Sequence, residues 1–156
     1  MIENHFWNQA KQIPFQTSPE IVGSFDIGFD SKIPEETRDA LMKFVYWVED
    51  HFSLPITLWV DFKYKHYLIG QNNDRVGYRF YWVDFANYPV FTDPDDIPVI
   101  ELAVRTEHRT IEEILLSFIE AISRYYAWLL RLNRQPNEQD AAQLLQAYLD
   151  SCSAHN

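Results

Sequence analysis

The sequence predicts an α+β domain in which helices pack on a small, mostly antiparallel sheet. Three observations carry that prediction. Residues 35–52, 110–133 and 137–150 place apolar side chains at three- and four-residue steps, the period of a helix with one buried stripe. Residues 24–30, 56–67, 76–85 and 97–105 alternate apolar and polar, or run apolar, as strands do. The two kinds of segment do not alternate one for one, so a doubly wound parallel sheet is not expected.

Taken in order, residues 1–20 mix Phe6, Trp7, Ile13 and Phe15 with Pro14 and Pro19, and read as an arm or short helix laid on the domain. Phe25, Ile27 and Phe29 then define the inward face of a strand. Pro34-Glu35-Glu36 opens a helix, with proline in its first turn and acids at its positive end. Leu41, Phe44, Val45, Val48 and Phe52 form its buried face, and Leu54-Pro55 closes it. From Ile56 to Tyr67, Leu58, Val60, Phe62 and Tyr64 fall on one face of a strand. Gly70-Gln71-Asn72-Asn73-Asp74 is turn chemistry, so 76–85 is expected to pair back as a hairpin or meander. Residues 84–98 read as a proline-broken acidic loop, and 97–105 as a further strand. Thr110-Ile111-Glu112-Glu113 is a capping box that starts a helix to about Asn133. Pro136-Asn137 starts the last helix, running to about Asp150 on Leu144, Leu145, Tyr148 and Leu149. The division expected is one domain over 1–156, with an arm (1–20), a core (21–150) and a tail (151–156).

Composition narrows the function. An apolar content of 47%, with five Trp, nine Tyr and eleven Phe, excludes a disordered chain. A net charge of −10 argues against nucleic-acid binding, which needs basic surface to displace counterions. The single Cys152 allows no internal disulfide and no cysteine-based zinc site. The start of the chain has no basic and apolar leader, and no apolar run approaches the roughly 20 residues needed to span a bilayer. The expectation is therefore a cytoplasmic protein with no membrane partner. Four glycines in the chain make a phosphate-cradling loop untenable, and no nucleophile elbow is present. The five histidines (His5, His51, His66, His108, His155) show no metal-ligand spacing, and His108 reads as a loop residue.

One helical stretch carries a resemblance. Glu120-Ala121-Ile122-Ser123-Arg124-Tyr125-Tyr126-Ala127-Trp128 follows a strand Gly77-Tyr78-Arg79-Phe80-Tyr81-Trp82 and an aliphatic strand Pro98-Val99-Ile100-Glu101-Leu102-Ala103. Together these resemble the scaffold of a minimal zincin-type metallopeptidase, whose zinc helix reads H-E-x-x-H-Y-x-x-W. The resemblance implies a zincin-like two-layer arrangement, with an edge strand bordering a substrate cleft. In that register Glu120 and Arg124 stand at the two His positions and Ala121 at the general-base position. Peptidase zinc needs two neutral imidazoles, and the intervening carboxylate takes the proton. A permanent guanidinium cannot ligate zinc and an alanine cannot accept a proton, so the implied protein is a pseudoenzyme without metal or cofactor. Glu120 and Arg124 are instead spaced as a helical ion pair. Glu138 and Asp140 lie where relatives place a third ligand, although Asn137 and Asp140 read as helix capping.

The function expected on these grounds is non-catalytic binding of a protein or peptide, a basic one by charge. Strand 97–105 would be the edge that accepts an extended chain. Glu101, Arg105, Glu120 and Arg124 would line the floor, with Arg79, Tyr81 and Phe85 turned toward the cleft and the acidic loop as its rim. The alternative is a small acidic immunity or inhibitor-type protein that neutralises a basic toxin or enzyme.

Overall fold

A computed structural model describes residues 5–13, 24–84, 96–131 and 137–154. In chain order the elements are α1 (His5–Lys11), β1 (Phe25–Phe29), α2 (Glu35–His51), β2 (Leu58–Lys63), β3 (Leu68–Ile69), β4 (Arg75–Val76), β5 (Tyr78–Asp84), β6 (Asp96–Ala103), α3 (Ile111–Leu129) and α4 (Glu138–Ala154). The class is α+β. Four strands form one sheet in the order β1-β2-β6-β5, and β3 and β4 form a separate small hairpin around the Gly70–Asp74 turn. Among the described residues, no helix is long and apolar enough to cross a membrane.

The sheet corrects the expected strand pairing in two respects. It is mixed rather than mostly antiparallel: β1 with β2 and β2 with β6 are parallel, and only β5 with β6 is antiparallel. The strand expected at the edge, 97–105, is internal, because β6 lies between β2 and β5. Its sequence gives the physical reason. From Val99 to Val104 every residue except Glu101 is apolar, and all six are buried. Nearly continuous apolar character suits a strand buried on both faces, as the central strands of parallel sheets are. The edge position falls to β5, where Tyr81 and Trp82 are exposed.

Alternation sets the two layers. Phe25 on β1, Leu58, Val60 and Phe62 on β2, and Ile100 and Leu102 on β6 turn to one side and meet the helices. Phe118 of α3 lies at the centre, with its ring 5.4 Å from Phe62, 5.6 Å from Phe44 and 6.0 Å from Phe25. Thr110 caps α3 by accepting from the Glu113 N–H at 3.1 Å, as its capping box requires. The helix stops at Leu129 because Arg131 takes a left-handed φ of 54°. The Tyr126 hydroxyl donates to the Ser53 carbonyl at 2.7 Å and Tyr125 to that of Ile56 at 2.5 Å, tying α3 to the segment after α2. Burial pushes both phenols well above their ordinary range. α1 is docked by buried Phe6 and Trp7, whose indole donates to the Asp140 carbonyl at 2.7 Å. α4 continues to Ala154, so residues 151–154 are its last turn rather than a tail.

Candidate functional site

Backbone hydrogen bonding on β5 fixes what the edge offers. Gly77 accepts from the Ala103 N–H at 3.0 Å, and the register places Tyr78 opposite Leu102. Antiparallel ladders alternate, so Arg79, Tyr81 and Val83 direct their N–H and C=O groups to β6, and Tyr78, Phe80 and Trp82 direct theirs outward. Pro98, which has no N–H, stands opposite Trp82, where β6 is asked for none. Among the described residues no strand pairs with the outer side of β5.

That edge borders a groove of about 580 Å³, lined among others by Asp74, Tyr78, Arg79, Phe80, Tyr81 and Arg124. Arg124 reaches it from α3 and donates to the Tyr78 hydroxyl at 2.7 Å. Farther along, Trp82 stacks on Trp128 of α3 at 6.1 Å while remaining 52% exposed. Phe80 meets the same indole at 6.3 Å. Gly77 permits the approach of α3, since a Cβ there would lie 2.8 Å from Ser117 Oγ and 3.0 Å from Arg109 Nη2.

Side chains on the other side of the sheet form a charged knot. Glu101, only 6% exposed, accepts from Arg79 Nε at 3.0 Å and from Nη2, and lies 3.4 Å from Lys63 Nζ. Burial raises the Glu101 pKa, but the hydrogen bonds and charges of Arg79 and Lys63 outweigh it, and the net shift is downward. Tyr81 lies beside this knot, its phenol raised by burial and by Glu101.

The residues expected on one cleft floor are thus divided. Glu101, Arg79 and Tyr81 belong to the sheet side turned from the helices, and Glu120 and Arg124 to α3, with only Arg79, Tyr81 and Arg124 meeting at the β5 groove. Arg105 lies beyond β6 and pairs with Glu107 at 2.8 Å. Phe85 and most of the acidic loop fall outside the described residues. Among the described residues no contact ion pair links Glu120 to Arg124. The Glu120 pKa is raised, first by burial and then by the charge of Glu138. Ala121 has no exposed surface and belongs to the core. Asn137 and Asp140 cap α4 reciprocally, Asn137 N donating to Asp140 Oδ2 at 3.0 Å and Asp140 N to Asn137 Oδ1 at 2.9 Å.

The two acids make a paired prediction. Glu101, with its folded pKa lowered, contributes stability that is present above its unfolded pKa and fades as pH falls through the folded value. Glu120, with its folded pKa raised, carries a cost above that value which is relieved as pH falls through it. Glu101→Gln is therefore expected to melt lower than the parent at pH 7, and Glu120→Gln higher, with both differences shrinking in acid. Melting curves of the three proteins between pH 3 and pH 7 check the two signs.

Sequence reasoning identified the residues of β5 but not their arrangement. The missed partner of β5 is Trp128, which packs on Phe80 and Trp82 and is legible as the last residue of the resembled motif yet given no role. The missed signal for the sheet order was β6 itself, apolar almost throughout and buried from Val99 to Val104. No protein-family model matches the chain, and no match was found among curated proteins or solved structures.

Proposed function

We propose that this protein binds an extended peptide segment of a partner, without catalysis, along the outer edge of β5, on a scaffold resembling an inactivated zincin. The observation that carries the reading is the outward set of backbone groups at Tyr78, Phe80 and Trp82, bordered by the groove with Arg124. An added strand would satisfy those donors and acceptors, and aromatic walls would receive its side chains. Arg124, which the resemblance gives to a zinc-ligand position and to the cleft floor, reaches this groove from α3. Neither Ala121 nor Arg124 can supply a proton-accepting or metal-binding group there. The net charge of −10 favours a basic partner by long-range attraction.

Display selection with random extended peptides, followed by titration of those recovered, tests this. Trp82→Pro removes one outward N–H and is expected to abolish binding, whereas Trp82→Ala, which keeps that N–H, is expected to weaken it only partly. Equal binding by the parent and Trp82→Pro would count against strand addition.

A second reading rests on the sheet face turned from the helices. Trp59 and Tyr81 are exposed there, with Asp26 and Asp61 also exposed. Aromatic and acidic groups together suit the surface of an inhibitor that neutralises a basic enzyme. In that case Trp59→Ala would remove association that Trp82→Pro leaves intact.

A further inference from the structure

The carboxyl ends of two neighbouring parallel strands, β2 and β6, bring together three side chains that are far apart in sequence. His66 follows β2, and Glu107 and His108 follow β6. The pairing of the strands continues past their ends, with Val104 N donating to the Lys63 carbonyl at 3.0 Å and Arg105 N to that of Lys65 at 3.1 Å. This holds the two following loops side by side. The His66 and His108 rings lie 4.7 Å apart between centroids, and His66 Nε2 is 3.8 Å from Glu107 Oε2. One ligand atom from each of the three lies within 4.8 Å of the others.

We propose that His66, Glu107 and His108 form a binding site for a divalent late first-row transition metal, zinc being the probe of choice. Two imidazoles and a carboxylate are a donor set such ions take, and three protein donors leave a coordination position open. Drawing donors within 4.8 Å onto one ion, at bond lengths of about 2.0–2.2 Å, asks only small side-chain rotations in exposed loops. The carboxylate is already oriented for the task. Arg105 donates to Glu107 Oε1 through Nε at 3.0 Å and Nη2 at 2.8 Å, leaving Oε2 turned to His66. Outer hydrogen bonds of this kind fix ligating carboxylates in known metal sites.

His66 supplies a second, independent observation. Its Nδ1 is buried with no hydrogen-bond partner, and its Nε2 is beyond hydrogen-bond distance of Glu107. A half-buried imidazole with neither nitrogen bonded to protein is uncommon, because buried polar atoms are ordinarily satisfied. A ligating role gives one of the two nitrogens its partner. The same ring lines a cavity of about 650 Å³ with Lys63, Lys65, Arg79 and Arg105, so an ion at this point borders a cation-lined space. The nearby Arg105 charge opposes a second cation, which places the site among reversible ones rather than permanent structural staples.

Zinc titration of the untagged protein by calorimetry, with His66→Ala, His108→Ala, Glu107→Gln and the control His51→Ala, tests the site. The expected result is one equivalent bound by the parent and by His51→Ala. Each of the two ligand-histidine variants is expected to weaken binding by about 100-fold or more, since changes one shell farther out already cost roughly 10–100-fold. Imidazole nitrogen shifts of the unmutated protein, followed by NMR as zinc is added, keep the test open should a variant misfold. Movement of two ring signals that are absent from His66→Ala and His108→Ala spectra supports the site. Absence of saturable zinc binding, or binding that survives His108→Ala unchanged, overturns it. Binding lost instead on Glu120→Gln would place the ion on α3 and also overturn it. None of these outcomes depends on peptide binding at β5.

Discussion

Phe118→Ala is expected to lower the unfolding free energy by about 3–5 kcal/mol, the range for removing a buried phenylalanine ring. The ring touches strand and helix partners at once, Phe62 and Phe25 from the sheet and Phe44 from α2, and it has no exposed surface. No single neighbour can relax into the space without abandoning the others, so most of the cavity should persist. At roughly 2–4 °C per kcal/mol for a chain of this size, the melting temperature should fall by about 6–20 °C. Urea unfolding with an unchanged slope would assign the loss to the folded state. A loss below about 1 kcal/mol would mean that the sheet and α2 do not meet on this ring.

Ala121→Glu, which places a carboxylate at the position the zincin resemblance gives to a general base, is expected to cost at least about 3 kcal/mol or to prevent folding. Ala121 has no exposed surface and sits within the main apolar cluster, with no cation described beside it to pair with the new charge. A small uncharged change, Ala121→Ser, should be far milder. The contrast bears on function as well as on stability. On the proposed resemblance, a general base at this position is not one tolerated substitution away, because the core packs on the methyl group of Ala121. A stable Ala121→Glu variant with an ordinary melting temperature would show that the position faces solvent, and the binding-only reading would lose a support.

The helices were legible because their signals are local. The Thr110–Glu113 capping box, the Asn137–Asp140 pair and the apolar stripes each act within a few residues, and the structure uses them as read. The end of α3 was less so: its apolar stripe continues to Leu132, and the stop comes from a left-handed Arg131, a residue type that does not announce one. Strand faces were legible from alternation, and Leu58, Val60 and Phe62 face the core as expected. Strand neighbours were not. The turn at Gly70–Asp74 is real, but it closes only the two-residue strands β3 and β4, and β6 enters between the strands that the turn seemed to join. Pairing between distant segments is decided by what covers each face, and the nearly unbroken apolar run of β6 was the available clue.

The same logic explains the sites. Arg79 and Glu101 were picked as candidates separately, yet their contact follows only from the β5–β6 register. His66 and His108 lack any spacing in sequence that marks metal ligation. They meet because β2 and β6 are parallel neighbours whose ends coincide.

Central to the account is that the outward edge of β5 accepts an extended chain, and amide hydrogen exchange measured by NMR with and without a selected basic peptide addresses it most directly. The prediction is slowed exchange at Tyr78, Phe80 and Trp82, whose N–H groups point outward, with little change at Arg79, Tyr81 and Val83, which already donate to β6. Slowing that spares β5 and falls instead around Trp59 and Asp61, on the sheet face turned from the helices, would contradict strand addition and favour the acidic inhibitor reading.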